Sequence, residues 1–239
     1  MTDVAPERVL AVGAHPDDVE FGCGATIARW AAGGAAVHVL VLTDGSKGSW
    51  DAGADPEELA AERRLEQEDA ADALGAAGVG FLDLVDGELH AGRAERAALC
   101  EVIRQLRPDT LLGHDPWKRY RLHPDHGEAG RLLLDAVVAA RDPHFFPEQG
   151  PPHRPARVLL FEAEVVDHVE DASPGFDAKL AALLAHRSQW HSTMGVEVGG
   201  PDEADQLGAF EARLRGEASA LGAGWGLDLA EGFKRLEPL

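Results

Sequence analysis

Short apolar runs alternate along this chain with longer segments whose apolar residues recur at helical spacing. That rhythm predicts a parallel β-sheet joined by crossover helices. Arg8 to Gly13 (RVLAVG) reads as a first strand, and Ala36 to Leu42 (AVHVLVL), apolar almost throughout, as a second strand covered on both faces. Further strands are expected at Val79 to Leu84, Thr110 to Gly113 and Arg157 to Glu162. Helices are expected at Gly24 to Ala32, Pro56 to Leu74, Ala94 to Leu106, Gly127 to Ala140 and Phe176 to Arg187. The helix from Pro56 is the clearest, with Asp55 as N-cap, proline at its first position and Gly75 just past its end. From Gly195 the sequence is rich in glycine and acid, and poorly patterned until a last acid-capped stretch. The pattern as a whole is α/β, and 239 residues fit one domain over 1–239 better than two.

Composition narrows the partners. A formal charge of −20 argues against a nucleic-acid binder, which needs a basic stripe, and against anionic membrane surfaces. The same charge concentrates cations around any metal site. Only two cysteines, Cys23 and Cys100, are present, too few for a disulfide framework, so a reducing compartment is expected. The opening residues show no signal-peptide pattern, and no apolar run approaches the ~20 residues that span a bilayer. These features together predict a cytoplasmic protein without membrane insertion.

The chemistry concentrates where strands end. His15-Pro16-Asp17-Asp18 follows the first strand, and open α/β sheets bind ligands at the carboxyl ends of their strands. His15 and Asp18 are close enough to converge on one ion, with Asp17 free for another task; the plainer reading is that the carboxylates cap a helix. A second cluster, His123-Pro124-Asp125-His126, follows a later strand and reaches the same end of the sheet. It offers a metal ligand, a free imidazole and a carboxylate able to orient a ring. A catalytic zinc takes three protein ligands and an open position, a set that His15, Asp18 and His126 supply. The same donors suit a two-His-one-carboxylate iron(II) site.

The two motifs resemble the paired motifs of the PIG-L-type, or LmbE-like, N-acetylglucosaminyl deacetylases. Weaker marks agree: Arg63 with Glu66 and Leu74-Gly75, Asp86-Gly87, and the late Lys179, His186, Ser188, Gln189 pattern. Val19 departs from it, since many members carry Glu there, as does Arg121, where some carry Tyr. The resemblance implies a Rossmann-like, mostly parallel sheet with helices on both faces. It also implies Zn2+ on His15, Asp18 and His126, with Asp17 as general base and His123 facing the developing oxyanion. Asp125 is then expected to orient His123, and Arg63 and Asp86 to contact substrate.

The activity implied is hydrolysis of an N-acyl amide, foremost N-acetyl, on a small amino-sugar conjugate. An amidase for a thiol conjugate is the nearest alternative. A non-catalytic Rossmann-like cofactor-binding module is the alternative of another class, resting on Phe21-Gly22-Cys23-Gly24, an incomplete dinucleotide fingerprint. Relatives often form homo-oligomers, so a homo-oligomer is expected too.

Overall fold

Along β1 (Arg8–Gly13), Leu10 and Val12 project into one core while Val9 and Ala11 project into another, and all four are buried. Side chains alternate across a strand, so a strand covered on both faces has no position left for a polar residue. The computed structural model describes residues 5–237; residues 1–4 and 238–239, part of the expected domain, lie outside the described residues.

The chain continues through α1 (Asp18–Ala32), β2 (Ala36–Thr43), α2 (Pro56–Ala73), β3 (Gly78–Leu84), α3 (Arg93–Leu106) and β4 (Thr110–His114). It then forms α4 (Pro124–Arg141), β5 (Arg157–Phe161), β6 (His168–Asp171), α5 (Phe176–Ala185), α6 (Glu203–Ala223) and β7 (Ala230–Leu236). The strands lie in the order β3-β2-β1-β4-β5-β7-β6. The first five are parallel, and β7 runs antiparallel to both β5 and β6. Leu99, Ile103, Leu132 and Leu133 of α3 and α4 cover one face, and Ile27, Ala70 and Ala182 of α1, α2 and α5 cover the other. This is the expected Rossmann-like layering. The order of strands reverses between β1 and β4, which leaves a crevice at their carboxyl ends.

Helix α1 starts at Asp18, ahead of the expected Gly24, but breaks at Cys23, whose φ of −153° is not helical. The second half therefore needs its own cap. Glu231 of β7 provides it, accepting from the backbone N–H of Ala25 at 3.1 Å and of Thr26 at 2.7 Å. Lys179 of α5 donates to Glu231 at 2.6 Å and to the Phe21 carbonyl at 2.8 Å, which neutralises the buried carboxylate. A side chain at Gly22 would stand 2.5 Å from the Phe161 ring. The glycines of Phe21-Gly22-Cys23-Gly24 thus serve close packing inside a helix, and no open phosphate loop forms there.

The weakly patterned end of the sequence contains α6, a helix of 21 residues in which only Phe210, Leu214 and Gly222 are buried. So thin an apolar stripe leaves almost no periodic signal. Among the described residues, no helix is long and apolar enough to cross a membrane.

Replacing Glu231 by alanine strands the Lys179 ammonium and two helix N–H groups. Breaking a buried pair in this way costs about 3–5 kcal/mol, and urea denaturation of Glu231→Ala is expected to show a loss of that size. A loss no larger than that of an exposed pair would contradict the capping role.

Candidate active site

Beyond β1 the chain reverses through Pro16 and Asp17 into α1. Asp17 takes φ 98°, a left-handed value uncommon for a residue with a side chain. Such strain persists only where the surroundings over-determine it. Here the backbone N–H of His15 donates to Asp18 at 2.7 Å and that of Asp17 to Gln67 at 3.1 Å. The Arg63 guanidinium, buried on α2, donates to the carbonyls of Pro16 at 2.5 Å and Gly45 at 3.0 Å. A side chain at Gly48 would meet that guanidinium at 2.3 Å, so the loop after β2 can lie directly on it.

The second motif sits on the start of α4, which begins at Pro124 instead of Gly127. His123 is its N-cap residue, and Asp125 and His126 occupy the first turn. Adjacency of β1 and β4 brings both motifs to one cleft of about 430 Å³, lined by His15, Asp17, Asp18, His123 and His126 together with Arg63 and Asp86.

Three side chains converge there, Asp18 through both of its oxygens. His15 Nδ1 lies 3.3 Å from Asp18 Oδ2, His126 Nε2 lies 3.3 Å from His15 Nδ1, and His126 Nε2 lies 3.3 Å from Asp18 Oδ1. Zinc bonds of about 2.0–2.2 Å in a tetrahedral arrangement require donors roughly 3.3–3.6 Å apart. The set therefore fits zinc in donor type, the two imidazole nitrogens fit it in spacing, and Asp18 presents one oxygen to each of them.

Other His and carboxylate groupings adjoin it: His15 with Asp86 and Asp125, Asp18 with His114 and His126, and His15 with His123 and His126. The first uses the opposite nitrogen of His15, whose Nε2 lies 3.2 Å from Asp86 and 3.2 Å from Asp125. Those carboxylates already accept backbone N–H groups, Asp125 from Gly87 and Leu89, and Asp86 from Lys47. They are placed to fix the His15 ring so that Nδ1 presents its lone pair. His114 plays the same part for Asp18, at 3.1 Å, with its other nitrogen 3.1 Å from Glu162.

Burial alone would lower the His15 pKa, but hydrogen bonds with Asp125, Asp18 and Asp86 push it up to about 12, so Nδ1 carries a proton that a bound metal ion would displace. Burial, opposed by Asp18 and reinforced by His114, His15 and Arg121, lowers His126 to about 4, which favours the neutral form that ligates metal. Asp18 is held well below the carboxylate range; burial works against this, and His114 and His126 overcome it. Asp17 rises to about 6, because burial and the Asp18 charge outweigh Arg63.

Asp125 hydrogen-bonds inward, to His15 and to the N–H groups of Gly87 and Leu89, and acts on His123 only through its charge. His123 is half exposed, and the carboxylate beside it is Asp86, at 3.9 Å. Arg63 is spent largely on two carbonyls and on Asp17, 3.5 Å away. Of the late residues, Lys179 belongs to the helix cap described above, His186 is buried 3.7 Å from Glu20, and Ser188 donates twice to Glu66.

Gln67 and Glu162 carry no mark in the sequence. Gln67 could be found only by noting that Arg63, Glu66 and Gln67 are polar residues sharing one helix face at i, i+3 and i+4.

Comparison with known proteins agrees with this geometry. Residues 10–137 match the PIG-L family, described as GlcNAc-PI de-N-acetylase. This chain belongs to the PIG-L family. It is 36% identical over 188 residues to a diacetylchitobiose deacetylase of Thermococcus kodakarensis, across 77% of this chain and 70% of that one. It is 34% identical over 270 residues to a 1D-myo-inositol 2-acetamido-2-deoxy-alpha-D-glucopyranoside deacetylase of Streptomyces avermitilis, across 84% and 87%. The structure of an N,N'-diacetylchitobiose deacetylase from Pyrococcus horikoshii superimposes with a TM-score of 0.85 at 31% identity, over 97% of this chain and 84% of that one. The PIG-L assignment agrees with the resemblance carried by the two His/Asp motifs.

Metal titration distinguishes donors from the groups behind them. His126→Ala is expected to abolish tight divalent-metal binding, whereas His114→Ala, which removes only a support of Asp18, should weaken it about 10–100-fold. Equal losses in the two variants would contradict the division.

Proposed function

We propose that this PIG-L protein hydrolyses the N-acetyl amide of an amino sugar in a small glycoside, giving the free amine and acetate, with zinc held by His15, Asp18 and His126. The observation that carries the proposal is three side chains, His15, Asp18 and His126, each within 3.3 Å of the other two in a cleft that also presents Asp17. The relatives' names support an acetamido sugar as substrate.

When bound, zinc polarises a carbonyl and lowers the pKa of bound water to about 7. Asp17 lies beside the ligand Asp18 and takes the proton of the attacking water. Its pKa of about 6 leaves it mostly ionised at neutral pH yet basic enough to hold that proton. Negative charge gathers on the carbonyl oxygen, and His123, open to the cleft with Asp86 behind it, stabilises that charge. The amine departs with a proton from Asp17 or His123, the two titratable groups of the motifs that face the cleft and hold no metal. Arg63 keeps Asp17 in its left-handed turn and, with Asp86, lines the cleft near the substrate.

The same reading takes residues 1–239 as one catalytic domain working in the cytoplasm, supported by two buried free cysteines that a reducing compartment preserves. Its partner is a small N-acetylated sugar conjugate and not a nucleic acid, in keeping with the charge of −20. Exposed Trp117, Tyr120 and Leu122, on the loop that leads to His123, support a homo-oligomer.

Amine release from N-acetylglucosamine and its small glycosides tests the proposal. Activity is expected to vanish with a chelator and to return with zinc. Asp17→Asn should retain the metal while kcat falls by roughly 10²–10⁴. Chelator-resistant release, or a near-normal rate in Asp17→Asn, would overturn it.

A further inference from the structure

Trp50 stands with 75% of its surface in water on the loop after β2, yet that loop is firmly held. Gly48 lies on the Arg63 guanidinium, and the Ser192 hydroxyl bridges the Gly48 carbonyl at 3.4 Å and Gln189 at 3.2 Å. Two tight turns follow, with the N–H of Asp51 donating to Ser49 at 3.1 Å and that of Gly53 to Asp51 at 2.8 Å. His191 meets the indole in a T-shaped contact, ring centroids 5.6 Å apart. A large aromatic is thus fixed in place with little of its surface covered.

Its position gives that exposure a use. The catalytic cleft of about 430 Å³ is joined by two further hollows, of about 390 and about 440 Å³, and all three share Trp50 and Ser192 as lining. The indole stands where they meet. The hollows beyond it are rimmed by hydrogen-bonding groups, with Asp51 and Ser188 in one and Glu197, Gln206 and Arg213 in the other. A flat apolar surface with a polar rim suits a pyranose ring, which has a C–H face and hydroxyls around its edge. Charge disfavours an anionic group: Lys47 in the cleft is paired with Glu88 at 2.9 Å, Arg213 shares its rim with Glu197, and the chain carries −20 overall.

We propose that Trp50 forms a second sugar subsite, so that the preferred substrate is at least a disaccharide with one ring at the metal ligands and the next stacked on the indole. This rests on the amino-sugar reading above. Trp50 is exposed, so its replacement leaves the core intact.

Calorimetric titration of N-acetylglucosamine and N,N'-diacetylchitobiose into the zinc-loaded Asp17→Asn protein, in which turnover is expected to be at least about a hundredfold slower, tests the subsite. The disaccharide is expected to bind more tightly than the monosaccharide. Adding Trp50→Ala should weaken the disaccharide by about tenfold or more and leave the monosaccharide unchanged, while Trp50→Phe should restore most of the difference. Equal affinity of the disaccharide with and without the indole would overturn the subsite, as would equal weakening of both sugars. Amine release from the monosaccharide by the wild-type protein tests the underlying reading separately. If that release occurs and the disaccharide gains nothing from Trp50, the subsite alone falls; if neither sugar binds or reacts, both fall.

Discussion

Three lone-pair side chains, each held within 3.3 Å of the other two in a partly buried wall, do not stay together by mutual attraction alone, and most of the surrounding structure serves to hold them. Each donor has support behind it. Asp86 and Asp125 grip the far nitrogen of His15, and His114 braces Asp18. His126 rides the first turn of α4, where Arg121 contacts its other nitrogen and pairs with Glu162. The supports are anchored in turn by backbone N–H groups of the loop after β3, so the cleft inherits its rigidity from the sheet.

Asp17 depends on a different set of restraints. Its left-handed backbone sits between Gln67 and Arg63, and Gln67 is itself oriented by donating to Glu20 at 2.7 Å. Glu20 lies in the first half of α1, before the break at Cys23. The second half is capped by Glu231 from β7, close to the other end of the chain. The carboxyl-terminal strand thus helps to place the helix that carries Asp18, although it contributes nothing to the cleft itself.

What the sequence discloses follows from the range of each interaction. β1 and β2 are legible because burial on both faces writes itself into contiguous residues. The two His/Asp motifs are legible because each packs its chemistry into four neighbours at a strand end. Gln67, Glu162 and the turn of Asp125 toward His15 are not, since each depends on a partner about fifty or more residues away in the chain. Helix α6 escapes notice for another reason: it meets the body of the protein along a stripe too narrow to set a period.

The central claim is that His15 Nδ1, Asp18 and His126 Nε2 share one ion. Anomalous diffraction at the zinc edge from crystals of the metal-loaded protein tests it most directly. The account predicts a single strong peak about 2.0–2.2 Å from all three donors, with His15 Nε2 still on Asp86 and Asp125. A peak between His15 Nε2 and those two carboxylates, or none at the trio, would contradict it.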